Sequence, residues 1–458
     1  MSEHCGYVVQ INELHPHSNA DRLQIATIFG ASVIVDLKVA VGDLGVYFPI
    51  DLQLSEEYCR ENDLVRRKDE NGNQAGGYLD PDKRNIRAMK LRGEKSEGLF
   101  MPLESLKYTG ETKFEVGQKI DILNGHEICK KYIPRSNVRQ GHVTEGNRTR
   151  KRSVPIAPLF AEHADTEQLA YNLAAFKDDD LIEITLKMHG TSGRTGYLPK
   201  FQGYKRTFWD KIFRREGTPI YDWGYVTGTR RVVLNDFGDG GYYGSNAFRA
   251  PYAKYFEGKL HKGETAYYEI VGFAGPDSPI MPSVANSKIS DKEFTKKYGK
   301  TTTFSYGCEN GQSDCYVYRM TMTNEDGDVV EYTPDFMRYR CEQMGIKCVP
   351  VMWKGYIPEV KERAKGFFFQ NGEQPQFFGV LSPGEYIEKI AEQFYDGPDP
   401  VGKTHVREGV VIRIVNRPKF CAYKHKNFSF KVLEGIAKDL AAAPDMEEAQ
   451  DLIEEDNG

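Results

Sequence analysis

Lys187 is the residue with the most chemistry to offer. Ile182, Ile184 and Leu186 alternate with Glu183, Thr185 and Lys187, the period-two pattern of a half-buried strand whose last polar-face side chain is an amine. Gly190, Thr191, Ser192, Gly193 and Arg194 come shortly after it. These are small hydrogen-bonding residues and a guanidinium, which let a phosphate approach closely. The set describes a nucleophilic lysine facing a nucleotide. A Lys-x-His-Gly string also arises by chance, and a solvated charge at a strand end is the plain alternative, so the weight falls on the rest of the chain.

Three later stretches add groups that such a lysine needs. Residues 267–272 read as a strand with one carboxylate, Glu269, between aromatic and aliphatic neighbours. Residues 408–414 are a nearly continuous β-branched run, hence a buried central strand, headed by Glu408. Lys424 and Lys426 are two apart on a further strand and share one of its faces. The plain readings are a surface salt bridge for Glu408 and an exposed edge for the two lysines.

The chain that must position these groups has 458 residues, enough for two or three domains with their own cores. With 28% charged and 40% hydrophobic residues it is an ordinary soluble composition. It has no long apolar run, so no membrane span is expected. The N-terminus lacks a secretory pattern, which places the protein in the cytoplasm, or in the host cytoplasm if it is viral. The eight cysteines include no Cys-x-x-Cys. Cys308, Cys315, Cys341 and Cys348 invite a four-thiolate zinc reading, but free thiols are the expectation. The net charge of −5 is unevenly spread: residues 130–152 hold eight Lys or Arg against one Glu, and 445–456 hold seven acids and no base. Local basic stretches keep nucleic acid in play despite the acidic total.

Short β-type runs at 7–11, 23–29, 32–35, 45–48 and 99–102, separated by turn residues, suggest a small barrel. The 15–23 stretch, with His15, Pro16, Ala20, Asp21 and Leu23, resembles the opening of tRNA-binding oligonucleotide-binding barrels, and 86–99 resembles the segment near their end. That resemblance implies an RNA-binding barrel with Arg87, Lys90 and Arg92 meeting phosphates. A barrel that only packs against the next domain is the alternative. Residues 54–78 are polar and read as a long loop or insertion.

The ordered motifs of the C-terminal region resemble those of the ATP-dependent RNA ligases, most closely the RNA ligase 2 type and its relatives with an N-terminal oligonucleotide-binding domain. Lys187-Met188-His189-Gly190-Thr191-Ser192 matches the lysine-bearing motif, 227–231 looks like the arginine motif and 315–319 like the strand that stacks on adenine. The match spans about 182–430. It implies that Lys187 attacks the α-phosphorus of ATP, giving a lysyl-AMP. Lys424 and Lys426 bring positive charge to that phosphate. Glu408 holds magnesium, with manganese an alternative. Glu269 accepts from the ribose hydroxyls, and Tyr318, with Tyr316 on the same face, stacks on the base. Arg194 and Arg230 grip the triphosphate or the RNA 5′-phosphate, and His189 serves later steps. There are departures: Leu186 stands where many relatives have glutamate, and Ser192 where that branch often has asparagine.

The expected fold class is α+β: an N-terminal β-barrel of the OB-fold type plus a nucleotidyltransferase domain of ATP-grasp-like antiparallel sheets with helices. The expected divisions are 1–128 for the barrel, 129–155 for a basic linker, 156–443 for the adenylyltransferase domain and 444–458 for an acidic tail. Insertions are expected between Glu269 and Glu408 and at 204–224. In the latter, basic residues alternate with Phe208, Trp209 and Phe213, which suits single-stranded RNA or an amphipathic surface segment. The stretch after Lys426 is too short for the C-terminal barrel of DNA ligases and capping enzymes. The expected activity is joining of RNA 3′-hydroxyl and 5′-phosphate ends in RNA repair, with no obligatory protein partner. Polynucleotide ligation at mixed DNA/RNA nicks and a non-catalytic RNA-binding protein are the alternatives.

Overall fold

The computed structural model describes residues 4–133, 155–365 and 380–439, apart from 69–71, 73, 214, 216, 235, 239–242, 244 and 290. Most of the basic linker, and the acidic tail, lie outside the described residues. The chain divides into two compact units: 1–135 with 284–301 and 428–444, and 136–283 with 302–427 and 445–458.

In the first unit the apolar alternation of the N-terminal runs produces β1 (Gly6–Gln10), β2 (Leu14–Pro16), β3 (Leu23–Ile28), β4 (Ala31–Asp36), β5 (Leu44–Phe48), β6 (Leu99–Pro102) and β7 (Lys119–Ile120). They form an antiparallel sheet in the order β6-β5-β1-β7 and a second in the order β2-β3-β4, not one closed ring. Val8, Val46, Phe48, Leu106 and Ile120 fill the core, each worth roughly 1.5–3 kcal/mol when fully buried. Residues 54–78, expected as loop, contribute to this core. Ser55 caps the helix Glu56–Glu61, whose Tyr58 and Cys59 are buried, and the Tyr58 hydroxyl donates to Ser105 Oγ at 2.8 Å.

The first unit also takes in two pieces expected in the ligase domain. Asp291 caps the helix Lys292–Tyr298 and pairs with Lys90 at 2.6 Å. On the final helix, Phe428–Asp439, Lys431 pairs with Glu97, and Lys95 lies over the Phe428 ring. Sequence order therefore does not mark the division, because these segments leave and re-enter the second unit's chain path.

The second unit holds β8 (Leu181–Lys187), β9 (Thr191–Lys205), β10 (Thr218–Gly228), β11 (Glu264–Gly275), β12 (Ser313–Thr323), β13 (Val351–Tyr356), β14 (Gly409–Ile414) and β15 (Ala422–Lys426). One sheet runs β15-β14-β8-β13, with Glu167–Gln168 beyond β15, and the other runs β10-β9-β11-β12 with short strands at both edges. Ile182, Ile184, Val410 and Ile412 bury one face of the first sheet against Ile387 and Ala391 of the helix Pro383–Glu392. Tyr268, Ile270, Cys315 and Val317 bury one face of the second against Phe256, Met337 and Cys341. The polar side chains of both sheets lie on the other faces. Glu183, on the polar face of β8, is nevertheless 2% exposed and accepts two hydrogen bonds from Arg338, at 2.9 and 2.8 Å. A carboxylate so buried persists because it is paired in this bidentate way.

Candidate active site

Three neighbouring strands end together around one carboxylate. Lys187 pairs with Gly409 across β8 and β14, and Gly409 with Lys426 across β14 and β15. Glu408, the residue before β14, is therefore delivered between the two lysines. Its Oε1 lies 2.8 Å from Lys187 Nζ and 3.6 Å from Lys426 Nζ, and its Oε2 is 3.7 Å from His189 Nδ1. Gly409 makes the closure possible: at φ +154°, an added Cβ would stand 2.1 Å from the His425 carbonyl oxygen. Lys424 sits two pairs further along the ladder, opposite Val411, and is half-buried. Lys187 is 23% exposed and Glu408 only 2%. The amine is thus partly open to solvent while its anion is not.

After Lys187 the chain passes from one sheet to the other within three residues, so Ser192 and Glu269 face each other across β9 and β11. Glu269 accepts the Gly190 N–H at 3.1 Å and the Ser192 hydroxyl at 3.3 Å. Its carboxylate thereby fixes the turn that carries His189. Gly190 has no room for a side chain, since a Cβ would meet the Ile270 carbonyl oxygen at 2.2 Å.

Tyr316 is opposite Glu269, and a bulge follows, at which Val317 faces Tyr268 but Arg319 faces Tyr267. The extra residue in the bulge is Tyr318, so the bulge turns both Tyr318 and Arg319 toward the polar face. The Tyr318 hydroxyl bonds His163 Nδ1 at 3.1 Å, with the rings edge to face at 5.5 Å. Burial, then the neighbouring guanidinium groups of Arg230 and Arg319, lower the His163 pKa to about 3. Arg230 pairs with Asp165. Burial pushes the Asp165 carboxyl up, but the Arg230 contact outweighs it and holds the carboxyl below its usual range. Tyr316 is buried, and its hydroxyl donates to Asp314 at 3.0 Å.

Two expectations are corrected. Arg194 does not face a phosphate: it is 1% exposed and donates to the carbonyls of Thr229 (2.9 Å), Phe160 (3.2 Å), Ala161 and Arg231 (2.9 Å). It ties the turn after β10 to the 160–161 segment instead. Lys90 has its ammonium on Asp291, whereas Arg87 and Arg92 are exposed. The two stretches that resemble oligonucleotide-binding barrels do meet, since His17 Nε2 lies 3.2 Å from the Leu91 carbonyl oxygen. Cys315, Cys341 and Cys348 pack in one apolar cluster, and among the described residues no group of three His, Cys, Asp or Glu could hold a metal ion.

Sequence reasoning missed a ring cluster behind the site. The Tyr306 hydroxyl accepts the His189 N–H at 2.6 Å. His405, fully buried, stands edge-on to Tyr306 and Phe304 with centroids at 4.5 and 5.1 Å, and Phe304 meets the His189 ring at 4.7 Å. Burial holds the Tyr306 pKa well above the usual phenol value and lowers that of His405, so both sit neutral. No spacing marks these residues in the sequence; they converge only through tertiary packing. Also missed was His163, which precedes every ligase-like motif.

The donor set fits one divalent cation bound mainly through a nucleotide. Among the described residues, Oε2 of Glu408 is buried and has no hydrogen-bond partner. A single carboxylate of this kind suits a cation whose other ligands are phosphate oxygens and water.

An OB-fold domain model matches residues 6–103. No curated protein matches the chain. Among solved structures, a mutant of Naegleria gruberi RNA ligase with AMP and Mn aligns over 93% of this chain and 98% of its own, at 16% identity and a TM-score of 0.54. The same ligase with PPi aligns over 95% and 98%, at 15% identity and a TM-score of 0.53. The chain has the fold of that RNA ligase, mixed α+β with an N-terminal OB-fold domain.

Proposed function

We propose that the protein is an ATP-dependent RNA ligase, working in RNA repair, that joins a 3′-hydroxyl to a 5′-phosphate. The observation that carries this reading is the placement of Lys187 and Lys426 on the buried carboxylate of Glu408, with the Lys187 amine partly exposed. Binding alone does not call for a partly exposed amine held beside a second amine and an anion.

Lys187 Nζ, once unprotonated, attacks the α-phosphorus of ATP. A P–N bond forms, the P–O bond to pyrophosphate breaks, and AMP stays on the lysine. Lys426, with Lys424 beside it, stabilises the charge that develops on the phosphoryl oxygens. Magnesium or manganese held by Glu408 would offset phosphate charge when bound. Tyr318 supplies a face for the adenine, and Glu269, on the opposite sheet, an acceptor for the ribose. The AMP then moves to an RNA 5′-phosphate, from which an RNA 3′-hydroxyl displaces it. The fold likeness to an RNA ligase solved with AMP, ATP and Mn supports this choice of substrate class.

The test is incubation with α-labelled ATP and magnesium, after pyrophosphate treatment to strip any preloaded AMP, followed by denaturing electrophoresis. Label retained by the wild type, absent from Lys187→Ala and passed to 5′-phosphorylated RNA is expected. A wild type that takes no label would defeat the reading.

A further inference from the structure

β9 and β10 pair from Arg194 and Gly228 out to Lys205 and Thr218. β9 begins at the candidate site, with Ser192 as its second residue, and runs for 15 residues, roughly 45 Å at the usual rise of a strand. At the far end is a five-residue helix, Phe208–Ile212, fixed by a reciprocal cap between Thr207 and Asp210.

This tip exposes large apolar side chains. Phe208 is 71% exposed, Trp209 64%, Phe213 61% and Ile212 52%. Trp209 and Phe213 stack on each other at 6.0 Å and 19°, and the Arg215 guanidinium lies over Phe213 at 5.6 Å. Residues 205–215 hold five Lys or Arg against one acid, Asp210, which the cap consumes; Arg214 lies outside the described residues. Exposed, stacked aromatic rings among cations match the two faces of an unpaired polynucleotide, its bases and its phosphates. An apolar protein partner would have no use for so many charges.

We propose that this hairpin tip is a stacking platform for single-stranded RNA, gripping the substrate far from the reactive lysine. The identity of the polymer as RNA rests on the ligase reading above.

Fluorescence anisotropy of a labelled single-stranded RNA, measured without ATP, tests it with wild type, the double variant Trp209→Ala/Phe213→Ala and Trp209→Phe. The double variant is expected to bind about tenfold more weakly, and Trp209→Phe to stay close to wild type. A second variant, Lys205→Gln/Arg215→Gln, is expected to make the plot of log affinity against log salt shallower by roughly 1.4; it keeps the test open if the alanine variant does not fold. Unchanged affinity and slope would overturn the proposal, as would a wild type that binds no RNA. So would a loss confined to phosphatidylserine vesicles, which would make the tip a membrane contact. A wild type that takes no AMP but binds RNA through the tip would defeat the ligase reading and support this one.

Discussion

Lys187 Nζ lies 2.8 Å from Glu408 Oε1, yet the lysine is 23% exposed and the glutamate 2%. The pair is lopsided: the anion is fixed by burial and the cation can leave it. Charge and nucleophilicity at this position can therefore be separated. Lys187→Arg keeps a cation opposite Glu408, but a guanidinium remains protonated and cannot attack. It is expected to fold with a thermal midpoint within a few degrees of wild type and to retain no label from ATP, checked by calorimetry and electrophoresis.

Tyr306→Phe removes the acceptor of the His189 N–H while leaving the ring that packs on His405. A buried donor left unsatisfied costs about 1–3 kcal/mol. The variant is expected to lose that much in urea unfolding and to transfer AMP to RNA more slowly. Full stability with full activity would show that the contact positions nothing.

Arg194→Lys tests whether the guanidinium is a clamp on backbone carbonyls. One ammonium cannot reach four carbonyls, so a loss of about 3 kcal/mol is expected, with little change in the KM for ATP among molecules that remain folded. A large rise in KM at unchanged stability would return Arg194 to the phosphate.

His163 gives a pH dependence of definite sign. Its folded pKa is about 3, against 6.5 for an ordinary histidine, so the unfolded chain takes up a proton first as pH falls. Its contribution is fully present above 6.5 and is lost progressively below that, down to the folded value. His405, also lowered by burial, acts in the same direction. The groups facing His163 are the Tyr318 hydroxyl, Arg230, Arg319, Asp165 and Lys187. In His163→Gln the fall of the thermal midpoint between neutral pH and about 5 is expected to be shallower than in wild type; parallel curves would exclude the residue as a source.

Much of the first unit was legible in the sequence, because short β runs with polar turns leave one sheet face to bury: the runs at 23–29 and 45–48 became β3 and β5 within a residue. Residues 54–78 misled because Tyr58, Cys59 and Leu64 are dispersed among charges, and only their packing shows them to be core.

By itself the sequence determined which residues carry reactive groups and which strands bear them. Alternation put Lys187, Lys424 and Lys426 on polar faces at strand ends, and the β-branched run made the strand after Glu408 central. Register decided the rest. Only the pairing of Lys187 with Gly409 and of Gly409 with Lys426 brings residues more than two hundred positions apart onto one carboxylate. Tertiary packing likewise turned Arg194 from a phosphate ligand into a clamp on carbonyls and recruited Tyr306 and His405 behind the site. It also left Trp209 and Phe213 uncovered. Local propensity is encoded over a few residues, whereas partners across a sheet are chosen by the burial of the whole.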